Sequence, residues 1–121
     1  MAELVVSTFD VEKLSDAARK LMRTAVRRAR AHQDVRRHIV GIDEFCRESG
    51  LQSTTSEQFR QWMREARKSL VVVEVIDTDF PERDDLPYSS WQVFRELRSN
   101  ATEVIFEIDS QTFSVFSEKI L

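Results

Sequence analysis

A small α+β domain, in which a helix-turn-helix pair is followed by a β-hairpin, is the fold class that this sequence predicts. Three observations predict it. Apolar residues recur at helical spacing from Leu14 to Ala29 and again from Phe59 to Leu70; a short helix closed by Gly50 precedes the second of these; and the C-terminal half alternates as strands do. At 121 residues the chain suits one hydrophobic core and is too short for two domains of ordinary size. Hydrophobic residues at 41% and charged residues at 32%, with only two Gly and two Pro, mark a globular composition.

The first segment, "ELVVSTF", is β-prone, short and flanked by polar residues, and is expected as a strand or an arm. In "LSDAARKLMRTAVRRARA", Leu14, Ala17, Ala18, Leu21, Met22, Ala25 and Ala29 define the buried side of a helix, with Ser15 as its N-cap and Asp16 in the favourable first turn. "RRHIVGID" predicts a short strand from His38 to Ile42. Asp43 is then expected to cap the helix "EFCRES", and Gly50 to end it in a left-handed conformation. "TTSE" contains a capping box, Thr54 with Glu57, opening a helix that extends to Ser69. Phe59, Trp62, Met63, Ala66 and Leu70 form its apolar stripe.

"SLVVVEVID" predicts a strand with Val71, Val73 and Val75 on one side. Its other side is not cleanly polar and needs cover from a helix, the N-terminal arm or another subunit. "WQVFRELR" fits a helical turn through Trp91, Phe94 and Leu97 and a strand through Trp91, Val93 and Arg95. A hairpin return from "SNAT" into "EVIFEID", with Val104, Phe106 and Ile108 inward, favours the strand. Phe113, Phe116 and Ile120 lie at helical spacing in a closing helix. Helix, strand, helix, helix, strand hairpin and helix is the order of a winged-helix domain.

The net charge of −3 conceals an uneven distribution. Up to Leu70 there are fourteen Lys and Arg against ten Asp and Glu; from Val71 onward there are four against eleven. On the second long helix, Arg60, Gln61, Arg64, Arg67 and Lys68 lie opposite the apolar stripe. Arg presents a planar fork that suits phosphate and guanine, and Gln suits adenine, so this face is the candidate DNA contact. A merely solvated face would carry the same residue types. Arg19, Arg23, Arg27 and Arg30 form a second stripe on the first helix. There Arg23 and Arg27 are candidates for positioning phosphates, with pairing to acids of the back half such as Glu103 or Glu107 as the competing role. Val71, Val73 and Val75 are the candidate dimer interface. The loop from Asp77 to Asp85 sets five acids against Arg83, so a wing there would repel a phosphate backbone.

Several functions find no support in the residues. His32 and His38 lack metal-ligand spacing, no Gly-rich phosphate loop is present, and Tyr88 sits in an acidic loop away from any His pair, which argues against a metal site, an ATPase and a nicking enzyme. Cys46 stands alone, giving neither a disulfide framework nor a thiolate metal set, and Trp62 and Trp91 fall on inward faces. The expectation is a cytoplasmic protein without catalytic residues, metal or cofactor, and with no membrane segment, since "LVVV" is far too short a run.

In order and spacing, "LSDAARKLMRTAV", "HIVGIDEFCRESGL", "EQFRQWMREARKSLVVVEV", a Trp, "LRSNATEVIFEID" and a closing aromatic helix resemble the first winged-helix domain of plasmid initiator replication proteins, which bind repeated origin sequences. The resemblance runs from about Leu14 to Leu121 and has no single sharp motif. It implies two tandem winged-helix domains, the second of which would begin where this sequence stops. In that family the second domain makes the main base contacts, while the first contacts one half of the repeat and takes part in dimerisation. The implied partners are double-stranded origin DNA, a second copy of the chain and host replication proteins. The alternative is a protein-interaction module or transcriptional regulator with little direct DNA contact.

Overall fold

The computed structural model describes residues 2–9, 14–52, 55–77, 79–80, 82 and 88–115, with the backbone alone at 2–9, 72–77, 88 and 114–115. Among the described residues ten elements make up a mixed α+β fold, the class anticipated. They are β1 (Ala2–Phe9), α1 (Asp16–Ala31), β2 (His38–Gly41), α2 (Ile42–Glu48), α3 (Ser56–Arg67), β3 (Leu70–Asp77), β4 (Tyr88–Gln92), β5 (Phe94–Ser99), β6 (Glu103–Ile108) and α4 (Gln111–Val115). The strands form two antiparallel sheets, ordered β1-β3-β4 and β2-β6-β5.

Helix α1 is the centre of the packing. Ala18, Leu21, Met22, Thr24, Ala25, Val26 and Ala29 are all buried, an arc wider than the periodic stripe alone indicates because Thr24 and Val26 extend it on either side. The many Ala residues let α2, α3 and β6 approach closely. Ser15 caps the helix as anticipated, its Oγ accepting from the Ala18 amide at 3.2 Å. Phe106 of β6 is fully buried among aromatic rings: Phe45 of α2 at 5.9 Å, Phe94 edge-on at 6.5 Å and the stacked His38 at 5.2 Å.

Two caps differ from those anticipated. Helix α2 begins at Ile42 after Gly41 and has no side-chain cap, while Asp43 lies in its first turn. The reason is tertiary: the Ile42 amide donates to the Thr102 carbonyl of the β5–β6 turn at 2.9 Å, so a backbone group takes the place of the Asp side chain. Helix α3 is capped by Thr55 with Gln58 returning to the Thr55 amide, one residue later than a box of Thr54 and Glu57; Thr54 itself lies outside the described residues. "TTSEQ" contains the capping-box spacing twice, and the second copy is used. The helix stops at Arg67 with Lys68 as C-cap, so Leu70 begins β3 instead of ending the apolar stripe. Gly50, at φ 78°, closes the α2 turn in the left-handed region, as anticipated.

The strand alternative for "WQVFRELR" is the one adopted, with a bend. The buried Val93 donates its amide to the Ser69 carbonyl at 3.1 Å and accepts from the Asp109 amide at 3.0 Å, so one extended stretch passes from the first sheet (β4) to the second (β5). A register shift between Phe94 and Glu96 follows directly, and Arg95 there reaches Asp109 at 3.4 Å. At the far end, Asn100 Oδ1 accepts from the Thr102 and Glu103 amides at 2.9 and 2.8 Å and shapes the hairpin turn. Val104, Phe106 and Ile108 face inward as anticipated. Trp91 Nε1 donates to Thr112 Oγ1 at 3.0 Å, tying α4 to the bend; Phe116 and Ile120, expected in the closing helix, lie outside the described residues.

Phe106→Ala is expected to lower unfolding free energy by about 3–5 kcal/mol in urea denaturation, because the cavity opens at the meeting point of three rings and α1. A loss below about 1 kcal/mol would contradict this account of the core. His38 gives a pH dependence of definite sign. Burial, followed by the nearby His32 and Arg28 charges, lowers its pKa from the ordinary 6.5. The folded state therefore prefers the neutral ring, and its contribution is complete above that value and is lost as pH falls through it. The urea midpoint is expected to fall between pH 7.5 and 5.5, and to fall less in His38→Phe; an equal fall in both proteins would exclude His38 as a source.

Candidate nucleic-acid interface

The outward face of α3 carries Arg60, Gln61, Arg64, Arg67 and Lys68, all exposed. Phe59, Met63 and Ala66 are buried beneath it, and Trp62 packs partly against the core. Among the described residues, none of the four cations comes within ion-pair distance of a carboxylate. Elsewhere the same residue type is generally paired. Arg28 bridges Glu44 at 3.0 Å and also Glu48; Arg36 meets Glu107 at 2.7 Å; Arg37 and Arg98 share Glu96 at 3.0 and 2.8 Å.

The local cause is the placement of the acids. Helix α3 contains two, Glu57 in the first turn and Glu65. Glu65 turns toward α1, where it accepts from the Ser15 hydroxyl at 2.9 Å and the Ser15 amide at 3.4 Å. That leaves Arg60 with Arg64 and Arg64 with Lys68 as like-charged i,i+4 pairs, each costing about 0.2–0.5 kcal/mol in an isolated helix. Folding does not need that repulsion, whereas an anionic partner would relieve it.

The α1 stripe is different. Arg27 is exposed and Arg23 half-buried, and Arg23, Arg27 and Arg30 each already take part in an interaction. Their anticipated partners are not the ones used: Glu107 is held by Arg36, and Glu103 makes no ion pair among the described residues. On the same helix Lys20 pairs with Asp16 at 3.0 Å. The two sequence stripes thus do not form equivalent open faces.

The valine positions also separate. Val71 is 2% exposed and packs in the core of its own chain. Strand β3 lies between β1 and β4, with Val73 opposite Val6 on one side and Ser89 on the other, and Val75 opposite Leu4. Both hydrogen-bonding edges of β3 are occupied along most of its length, so pairing with a second subunit through the valine strand is blocked where β1 and β4 flank it. The N-terminal segment, expected as a strand or an arm, is strand β1 and pairs antiparallel along β3.

One side of α3 opens into a groove of about 760 Å³ between α2 and the β5–β6 turn. Phe59, Cys46, Ile42 and Leu51 contribute apolar lining, while Arg47 and Arg60 supply cations. Cys46 is buried, and burial, then the Asp43 charge, pushes its thiol above the ordinary value, so no thiolate is available. Arg47 was absent from the sequence candidates. The signal for it was a single Arg among three acids on α2, and only the tertiary turn of Glu44 and Glu48 toward Arg28 leaves it facing the groove. The hairpin nearest α2 is the β5–β6 turn; the acidic segment from Asp77 to Asp85 instead links β3 to β4 in the other sheet.

Comparison with known protein families, with curated proteins and with solved structures finds no match in any of the three.

If the α3 cations are held for a partner, the triple substitution of Arg60, Arg64 and Arg67 by Ala is expected to leave the urea midpoint unchanged or slightly raised, since repulsion is relieved and Ala favours helix. Glu65→Ala, by contrast, is expected to cost about 1.5 kcal/mol through loss of a charged hydrogen-bond acceptor for Ser15. A triple variant destabilised by more than Glu65→Ala would assign the arginines to the fold.

Proposed function

We propose that this chain is a non-enzymatic DNA-binding module on the winged-helix plan, with α3 as the helix that meets duplex DNA. The observation that carries the reading is the set of four exposed cations on α3 without carboxylate partners among the described residues, in a protein whose other arginines are largely paired. The arrangement of α1, α2 and α3 against the three-stranded β2-β6-β5 sheet, with a hairpin turn beside α2, supports it. On this reading Arg60, Arg64, Arg67 and Lys68 contact phosphates, and Gln61 with one Arg reaches base edges. The resemblance to plasmid replication initiators suggests origin repeats as the DNA, a second copy and host replication proteins as partners, and a cytoplasmic setting. Association of two copies would engage an outer strand or a sheet face, because β3 is paired on both sides.

Fluorescence anisotropy of a labelled mixed-sequence duplex tests the reading. Binding is expected to weaken steeply as salt rises, with each phosphate contact contributing about −0.9 to the slope of log affinity against log salt. In the Arg60, Arg64 and Arg67 triple variant, affinity should fall and the slope should flatten by two to three such contributions, with circular dichroism unchanged. Equal binding by both proteins, or none by the unmodified chain at low salt, would overturn it.

A further inference from the structure

A groove of about 760 Å³ adjoins the proposed DNA face, and its cations come from two helices. Arg47 projects from α2 and Arg60 from α3, and both line the same space. Neither makes an ion pair among the described residues. For Arg47 this is unexpected, because α2 carries Asp43, Glu44 and Glu48 within one turn of it. Two of those acids are held on the opposite side by Arg28, and Asp43, four residues earlier, lines the groove without bonding to Arg47.

From these observations we propose that the groove seats the phosphate backbone of one DNA strand, gripped between Arg47 and Arg60. The proposal rests on the reading of α3 as the DNA-binding helix and extends its contact surface onto α2 and the β5–β6 turn. Arg60 to Lys68 spans about 12 Å of helix at 1.5 Å per residue, long enough to reach more than one phosphate of a strand. Arg47 shares the groove with Arg60 beside the N-terminal end of α3. The groove's hydroxyl and amide groups at Ser56, Asn100 and Thr102 are of the kind that position a sugar-phosphate chain without reading sequence. The α3 N-terminus adds the positive end of a helix dipole at the same place. The apolar residues lie deeper, with Phe59 and Cys46 buried, and leave the polar groups to meet the strand.

Asp43 gives the proposal a signature of opposite sign. Among the described residues it is the one carboxylate lining the groove, so a strand lying there is repelled by it. The experiment is the anisotropy titration of the full chain with a mixed-sequence duplex across a salt series, run on four variants. Arg47→Ala should bind roughly tenfold more weakly at 50 mM salt and lose about 0.9 from the slope, equivalent to one phosphate contact. Arg47→Lys should keep the slope, and Asp43→Asn should bind more tightly than the unmodified chain. Arg36→Ala, the same charge change at the opposite end of the β2-β6-β5 sheet, should keep the unmodified slope. Should Arg47→Ala match the unmodified chain while the α3 triple variant loses affinity, the groove proposal is wrong and the α3 reading stands. An Arg36→Ala loss equal to that of Arg47→Ala, or an Asp43→Asn variant that binds no tighter, also overturns it. Absence of binding by the unmodified chain removes both proposals.

Discussion

The contact of α1 with the two helices that follow it determines much of what this protein presents to solvent. Its Ala-rich buried arc draws α2 and α3 close, and polar groups at its two ends collect their acids: Ser15 takes Glu65 of α3, and Arg28 takes Glu44 and Glu48 of α2. A hydroxyl link between Ser49 and Thr24, at 2.8 Å, reinforces the α1–α2 seam inside the core. With Glu65 bonded to Ser15, and Glu44 and Glu48 bonded to Arg28, none of these three acids pairs with an arginine of its own helix. The cationic exterior of α3 and the lone position of Arg47 are thus consequences of the same packing that builds the core.

The second consequence concerns the hairpin. Because the Thr102 carbonyl satisfies the first amide of α2, the β5–β6 turn is fixed against the helix pair, and Asn100 holds its shape from within. This brings a polar turn to the edge of the α3 face. In chain order the acidic segment falls between β3 and β4, strands of the other sheet, and several of the remaining acids of the C-terminal half are paired with arginines. A protein of net negative charge can in this way keep one local cationic surface.

Much of this was legible in the sequence. The long helices, the Gly50 stop, the capping Ser15, the inward Val104, Phe106 and Ile108 and the amphipathic division of α3 all follow from periodicity and local chemistry, which act over one or two turns. What escaped depends on distant partners. The cap of α2 is a carbonyl sixty residues away, the end of α3 is decided by β3 beginning at Leu70, and the sheet neighbours of the valine strand come from the N-terminus and from residues 88–92. Even the choice between two capping boxes one residue apart lies beyond pattern, since both satisfy it. For the candidate site, Arg60, Gln61, Arg64, Arg67 and Lys68 were visible as one face. Which stripe of arginines is already engaged, and that Arg47 joins the α3 face, required the ion pairs to be seen.

The central claim is that the outward face of α3, and not the α1 stripe or the valine sheet, meets the partner. Its most direct test is a titration of the ¹⁵N-labelled chain with a mixed-sequence DNA duplex at low salt, followed by two-dimensional amide NMR. The account predicts the largest shifts between Ser56 and Lys68, with further changes near Arg47 and at residues 100–102. Shifts concentrated in β1 and β3, or an unperturbed spectrum, would contradict it.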